Sequence, residues 1–68
     1  MENVGMTDEV TRLGQFLKLM DAVDTGGEAK MRIADGEVTV NGEVELRRGR
    51  QLKPGDVVTI AGRSYHVD

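Results

Sequence analysis

The chain has no cysteine and no tryptophan. That removes disulfide frameworks, thiolate zinc sites, iron–sulfur clusters and cysteine nucleophiles together. A single histidine, His66, excludes a multi-histidine metal site. Phe16 and Tyr65 are the only aromatics. Proteins that read single strands stack bases on several aromatic rings, and this chain cannot supply such a platform. No apolar run approaches the roughly 20 residues of a membrane span, and no signal peptide opens the sequence. The expectation is a cytoplasmic protein that makes no use of a membrane. Sixty-eight residues allow one small domain. The hydrophobic fraction of 38% supports a modest core and is too high for a disordered chain. Residues 1–10 carry little pattern and read as an N-terminal tail; residues 11–68 read as the single domain.

Basic charge is also short: 12 acids against 9 bases leave a net charge of −3. Taken alone this opposes nucleic-acid binding, whose footprint is usually basic. The distribution along the chain points the other way. Arg47, Arg48, Arg50 and Lys53 lie within seven residues with no acid among them, while acids gather from Asp35 to Glu45.

What is present reads as two helices and then strands. Leu13, Phe16, Leu17 and Met20 sit at i, i+3, i+4 and i+7, one apolar stripe. The spacing predicts a short helix over 13–21, weakened in its first turn by Gly14, with Gln15 and Lys18 off the stripe. Thr25-Gly26-Gly27-Glu28 predicts a second helix start. Thr25 accepts from the residue 28 amide, and Glu28 reaches back to the Thr25 amide. Ala29 and Ile33 give this helix a thin apolar face, and Gly36 stops it in the left-handed region. The link is short, so the helices pack as a hairpin. After Gly36 the period becomes two. Asn41-Gly42 predicts a tight hairpin that places Val38, Val40, Val44 and Leu46 on the buried face, with Glu43 and Glu45 outside. A polar loop over 47–53 ends at Pro54-Gly55. Val57, Val58 and Ile60 form a strand, and Tyr65 and Val67 a last short one. The class is α+β: two packed helices followed by an antiparallel sheet of about four strands.

No catalytic constellation is visible. His66 has only Ser64 and Asp68 beside it, and a triad is defined by geometry between distant residues. Glu43 and Glu45 are two carboxylates, fewer than a hard cation wants. No catalytic residue, metal ligand or cofactor is therefore assigned. Two features suit an anion. Gly26-Gly27 opens a helix with free amides, near Lys30 and Arg32. The stretch Arg47-Arg48-Gly49-Arg50-Gln51-Leu52-Lys53 offers guanidinium forks that match phosphate oxygens, with Gly49 allowing close backbone approach.

Arg12-Leu13-Gly14, then Thr25-Gly26-Gly27-Glu28-Ala29-Lys30, then Gly36-Glu37-Val38-Thr39-Val40-Asn41-Gly42, then Lys53-Pro54-Gly55-Asp56 follow one another in the chain. In this order they resemble the S4 domain, the alpha-L RNA-binding fold named after a small-subunit ribosomal protein. The resemblance covers about residues 12–60 and is nearest to the short stand-alone bacterial proteins of that type. It implies that structured RNA is held by the two-helix face and the following loop. Carried over residue by residue, the implied contacts are Arg12, Lys18, Gly27, Lys30, Arg47, Arg48 and Arg50. Arg32 and Lys53 join them as neighbouring bases. Met31 stands where the family often has a second base. The expected function is non-enzymatic docking of structured RNA, ribosomal or transfer RNA, with no preference for DNA. The alternative is a module that keeps the fold, has lost RNA and binds a protein partner. The net charge and the acids Glu37, Glu43 and Glu45 favour that alternative.

Overall fold

Local signals set the ends of α2 and the turn of the main hairpin in the computed structural model, which describes residues 11–68. The expected N-terminal tail lies outside the described residues. Strand β1 (Thr11–Arg12) leads into helix α1 (Leu13–Leu19), followed by helix α2 (Gly26–Ala34). Strands β2 (Val38–Val40), β3 (Glu43–Val44), β4 (Gln51–Leu52), β5 (Val57–Ile60) and β6 (Arg63–His66) complete the chain.

Helix α2 begins as the sequence predicts, with the Glu28 amide donating to Thr25 Oγ1 at 3.0 Å. The return bond is shifted by one residue: the Asp24 amide, not that of Thr25, donates to Glu28 Oε1 at 2.9 Å. Gly36, at φ +78°, ends the helix. Its amide donates to Ile33 O and that of Glu37 to Arg32 O, the paired closing bonds of a Schellman end. Helix α1 stops two residues earlier than expected and ends the same way, with Asp21 in the left-handed role at φ +59°. There the Asp21 amide donates to Lys18 O and the Ala22 amide to Leu17 O. No glycine in the sequence announces this turn. The early stop leaves Met20 exposed rather than on the buried stripe. The chain instead buries Val23, which lies in the link.

One antiparallel sheet takes the order β3-β2-β5-β6, the expected four strands. A second, two-stranded ribbon joins β1 to β4. It converts part of the expected 47–53 loop into structure and buries Leu52. Its members are two residues each, too short for periodicity to reveal. The helices pack on each other. Leu13, Phe16, Leu17, Ala29 and Ile33 form one core with Val38, Val40, Val58, Ile60 and Val67. Tyr65 packs partly against this core.

The β2–β3 hairpin overturns the expected burial of Val44 and Leu46. A two-residue turn pairs Val40 with Glu43 and Thr39 with Val44. Directly paired residues share a face. Glu43 therefore lies on the side of Val40, and Val44 lies on the outer side with Thr39. Val44 is 57% exposed and Leu46 61% exposed, while Glu45 is 8% exposed, against the expectation that it faces outward.

Candidate nucleic-acid interface

Glu45 owes its place to that parity. Its amide donates to Val38 O at 3.0 Å, which ties it to the central sheet. Its carboxylate receives the arginine loop. Arg47 Nε donates to Oε2 at 2.9 Å, Arg47 Nη2 to Oε1 at 3.3 Å, and the Arg47 amide to Oε2 at 3.1 Å. Arg50 Nη1 donates to Oε1 at 2.7 Å. The Glu45 carboxyl is thereby lowered from its ordinary 4.5 to about 2, first by the Arg47 side chain and then by Arg50. In return the bond to Glu45 raises the Arg47 guanidinium.

The loop then reaches the first helix. Arg50 N donates to Arg47 O, closing a turn with Arg48 and Gly49 at its tip. The Leu13 amide donates to Arg50 O at 2.9 Å and the Gly14 amide to Arg48 O at 3.0 Å. These carbonyls satisfy two of the orphan amides that open a helix, where Arg12 provides no side-chain cap. The Arg12 Nη1 group donates to Gly49 O at 3.0 Å. Gly14 has a reason that the helical spacing does not disclose: a β-carbon there would stand 2.5 Å from Arg48 Cγ. Its missing side chain is the channel along which the Arg48 stem runs.

Two clefts meet at Arg12. One is lined by Arg12, Gly14, Gln15, Lys18, Gly26, Arg48 and Gly49. The other is lined by Arg12, Arg47, Gly49, Arg50 and Gln51. Among the described residues neither has an acid in its lining. The fold thus brings together five of the nine expected contact residues: Arg12, Lys18, Arg47, Arg48 and Arg50. The exposed Lys30 stands one helical turn beyond Gly26, on the side of α2 that opens to the first cleft. The start of α2 adds the amide of Gly26, which meets no acceptor among the described residues, and its positive dipole end.

The other three stand apart. Gly27 lines a different groove, with Thr25, Glu28, Met31, Arg32, Asp35 and Glu37. Gly26, which is not among the expected contacts, is the glycine that faces the basic cleft. Arg32 is taken up by two acids, Glu28 at 3.2 Å and Glu37 at 3.2 Å. Lys53 is exposed beyond β4, in neither basic cleft, and its amide donates to Asp56 Oδ2 at 2.8 Å. Buried Asp56 also accepts from Asn41 Nδ2 at 3.0 Å. Those two bonds, the Lys53 amide first, hold its carboxyl below the ordinary range. The Asn-Gly hairpin is thereby locked to the Pro-Gly-Asp turn. Among the described residues no three His, Asp or Glu side chains gather as a metal site, and no helix is long and apolar enough to cross a membrane.

The surface is consequently divided: a basic side at the α1 start and the arginine turn, whose one bonded acid among the described residues is Glu45, and a groove along α2 that holds Glu28, Asp35 and Glu37. Together with the fold, this places the molecule in a known class. The S4 domain family matches residues 4–68, and the chain belongs to that family, an RNA-binding fold. It is 49% identical over 59 residues to "Probable ribosome maturation protein RlbA" of Bacillus subtilis (strain 168), covering 87% of this chain and 83% of that protein. It is 40% identical over 55 residues to "Putative RNA-binding protein YbcJ" of Escherichia coli (strain K12), covering 81% of this chain and 79% of that one.

Proposed function

We propose that this protein is a non-enzymatic, cytoplasmic RNA-binding module that docks structured RNA, ribosomal RNA before transfer RNA, through the two basic clefts. The observation that carries the reading is the convergence of Arg12, Lys18, Arg47, Arg48 and Arg50 on clefts with no acid among their described lining residues, in a chain of net charge −3. Charge has been sorted to one side, which is what phosphate docking needs. The name of the Bacillus subtilis relative, a probable ribosome maturation protein, supports the ribosomal choice, and that of the Escherichia coli relative supports RNA in general. With two aromatics and no base-reading array, recognition rests on phosphates and on the A-form shape with its 2′-hydroxyls, which gives no advantage to DNA. A protein partner is the second reading, favoured by the acidic groove of Glu28, Asp35 and Glu37 beside exposed Met31.

Fluorescence anisotropy with a labelled ribosomal RNA helix–loop fragment, at low and near-physiological salt, tests the proposal. Affinity should fall steeply with salt, with a log–log slope of about one for each phosphate contacted. No binding at low salt by protein shown to be folded would overturn it in favour of the protein partner.

A further inference from the structure

Glu45 is an acid bonded to two arginines of the basic surface, although it lines neither cleft. Its cost is evident: it is buried, and it cancels one of the positive charges the clefts would otherwise present. The structure shows what it provides. From the Glu45 amide on Val38 O, the connection runs through the carboxylate to Arg47 and Arg50. From there it runs through Arg48 O and Arg50 O to the Gly14 and Leu13 amides. The turn tip is thus fixed to the sheet at one end and to α1 at the other. The Arg48 side chain has no such tie among the described residues. Its stem lies against Gly14, and it lines the cleft with Arg12 and Lys18. Arg47 and Arg50 are both bonded to the carboxylate; Arg50 is only 29% exposed in its side chain, whereas Arg47, at 76%, is held in place but still open to the second cleft.

We infer that Glu45 is a positioning residue for RNA: it holds Arg47 and Arg50 as the frame of the turn so that Arg48 projects into the cleft at a fixed place, giving up affinity for any polyanion in return for selectivity towards one arrangement of phosphates. This rests on the RNA-docking reading and adds how that site discriminates. A flexible single strand can follow a loose set of cations, whereas a rigid folded RNA rewards only a preset one.

Three outcomes separate the roles Glu45 could have. Glu45→Gln keeps the shape, removes the carboxylate charge and one of the two acceptor oxygens, and so loosens the hold on the two arginines. Its affinity should be measured at one salt concentration for the structured ribosomal RNA fragment and for a single strand of the same length. The expected result is tighter binding of the single strand by several-fold and weaker binding of the structured RNA, so that the ratio falls about tenfold. Equal weakening of both, the sign of a merely structural role, would overturn the inference. So would equal strengthening of both, the sign of charge alone. Gly14→Ala provides a second arm should Glu45→Gln unfold. It changes no charge and favours the helix, but its β-carbon displaces Arg48. It should weaken the structured RNA about tenfold, as expected for one charge-assisted bond, and leave the single strand unchanged; an unaltered ratio would overturn the inference. If the wild-type protein binds neither RNA, the docking reading fails and this inference with it, whereas wild-type binding with unchanged ratios in both variants defeats the positioning role alone.

Discussion

Removing one guanidinium at each of two sites tests whether the fold has sorted the bases as described. Arg48→Ala deletes a cation that lines the cleft and carries no acid partner among the described residues. If it donates to a phosphate, a charge-assisted bond is lost. Such bonds contribute about 1.5–3 kcal/mol, and an exposed site belongs at the low end. That converts to about tenfold in Kd, with a salt slope shallower by about one. Arg32→Ala deletes a cation of the same kind, expected from the sequence to be an equal contact. Its guanidinium is already bonded to Glu28 and Glu37 at 3.2 Å each, in a groove with Asp35. Its loss should change Kd less than about twofold and leave the slope alone. The two exposed pairs it gives up contribute about 0.2–1 kcal/mol each to folding, so the thermal midpoint should fall by a few degrees while binding holds. Anisotropy titrations of both variants across a salt series decide the matter. Equal losses of affinity and slope would refute the sorting, since net charge alone would then govern binding.

The remaining expectations concern stability. Glu45 binds its proton less readily folded than unfolded, so its contribution to stability is complete above about 4.5 and lost as pH falls towards about 2; urea midpoints should drop through that window, and Glu45→Gln should flatten the drop. Asp56 is shifted in the same direction by the Lys53 amide and Asn41, and Asn41→Ala should weaken its share of the same acid loss in parallel urea titrations. Asp21→Gly relieves a left-handed residue that has a β-carbon and should stabilise by about 0.5–1 kcal/mol, while Gly36→Ala at φ +78° should destabilise by about 1–2 kcal/mol; thermal midpoints of opposite sign check the pair. Leu17→Ala empties a fully buried position and should cost about 2–5 kcal/mol by chemical denaturation, a large part of the stability of so small a domain.

Much of the fold is legible in the sequence because it is made by local chemistry. The Thr25 cap, the Gly36 stop and the Asn41-Gly42 turn each need a particular residue type at a particular place, and each functions where the sequence puts it. Expectation and structure part where a common residue takes an uncommon role. Asp21 ends α1 in a conformation usually given to glycine, so the apolar spacing carries the helix two residues too far. The β1–β4 ribbon joins residues about 40 positions apart with two residues on each side, and short elements at that separation leave no periodic trace.

The hairpin at Val44 and Leu46 is more instructive, because the turn and the alternation are both plain in the sequence and only their combination settles the faces. A two-residue turn makes position 40 face 43, so apolar residues at 38 and 40 share their side with 43 and 45 rather than with 44 and 46. Applied in full, the turn geometry places Glu45 inside from sequence alone. A carboxylate forced beneath a run of arginines then has one stable arrangement, bonded to the nearest of them. The basic loop is therefore not a free row of four charges. Parity commits two of its arginines to Glu45 and leaves Arg48 to project. The α1 start, with Gly14 as its open channel, decides where that arginine goes.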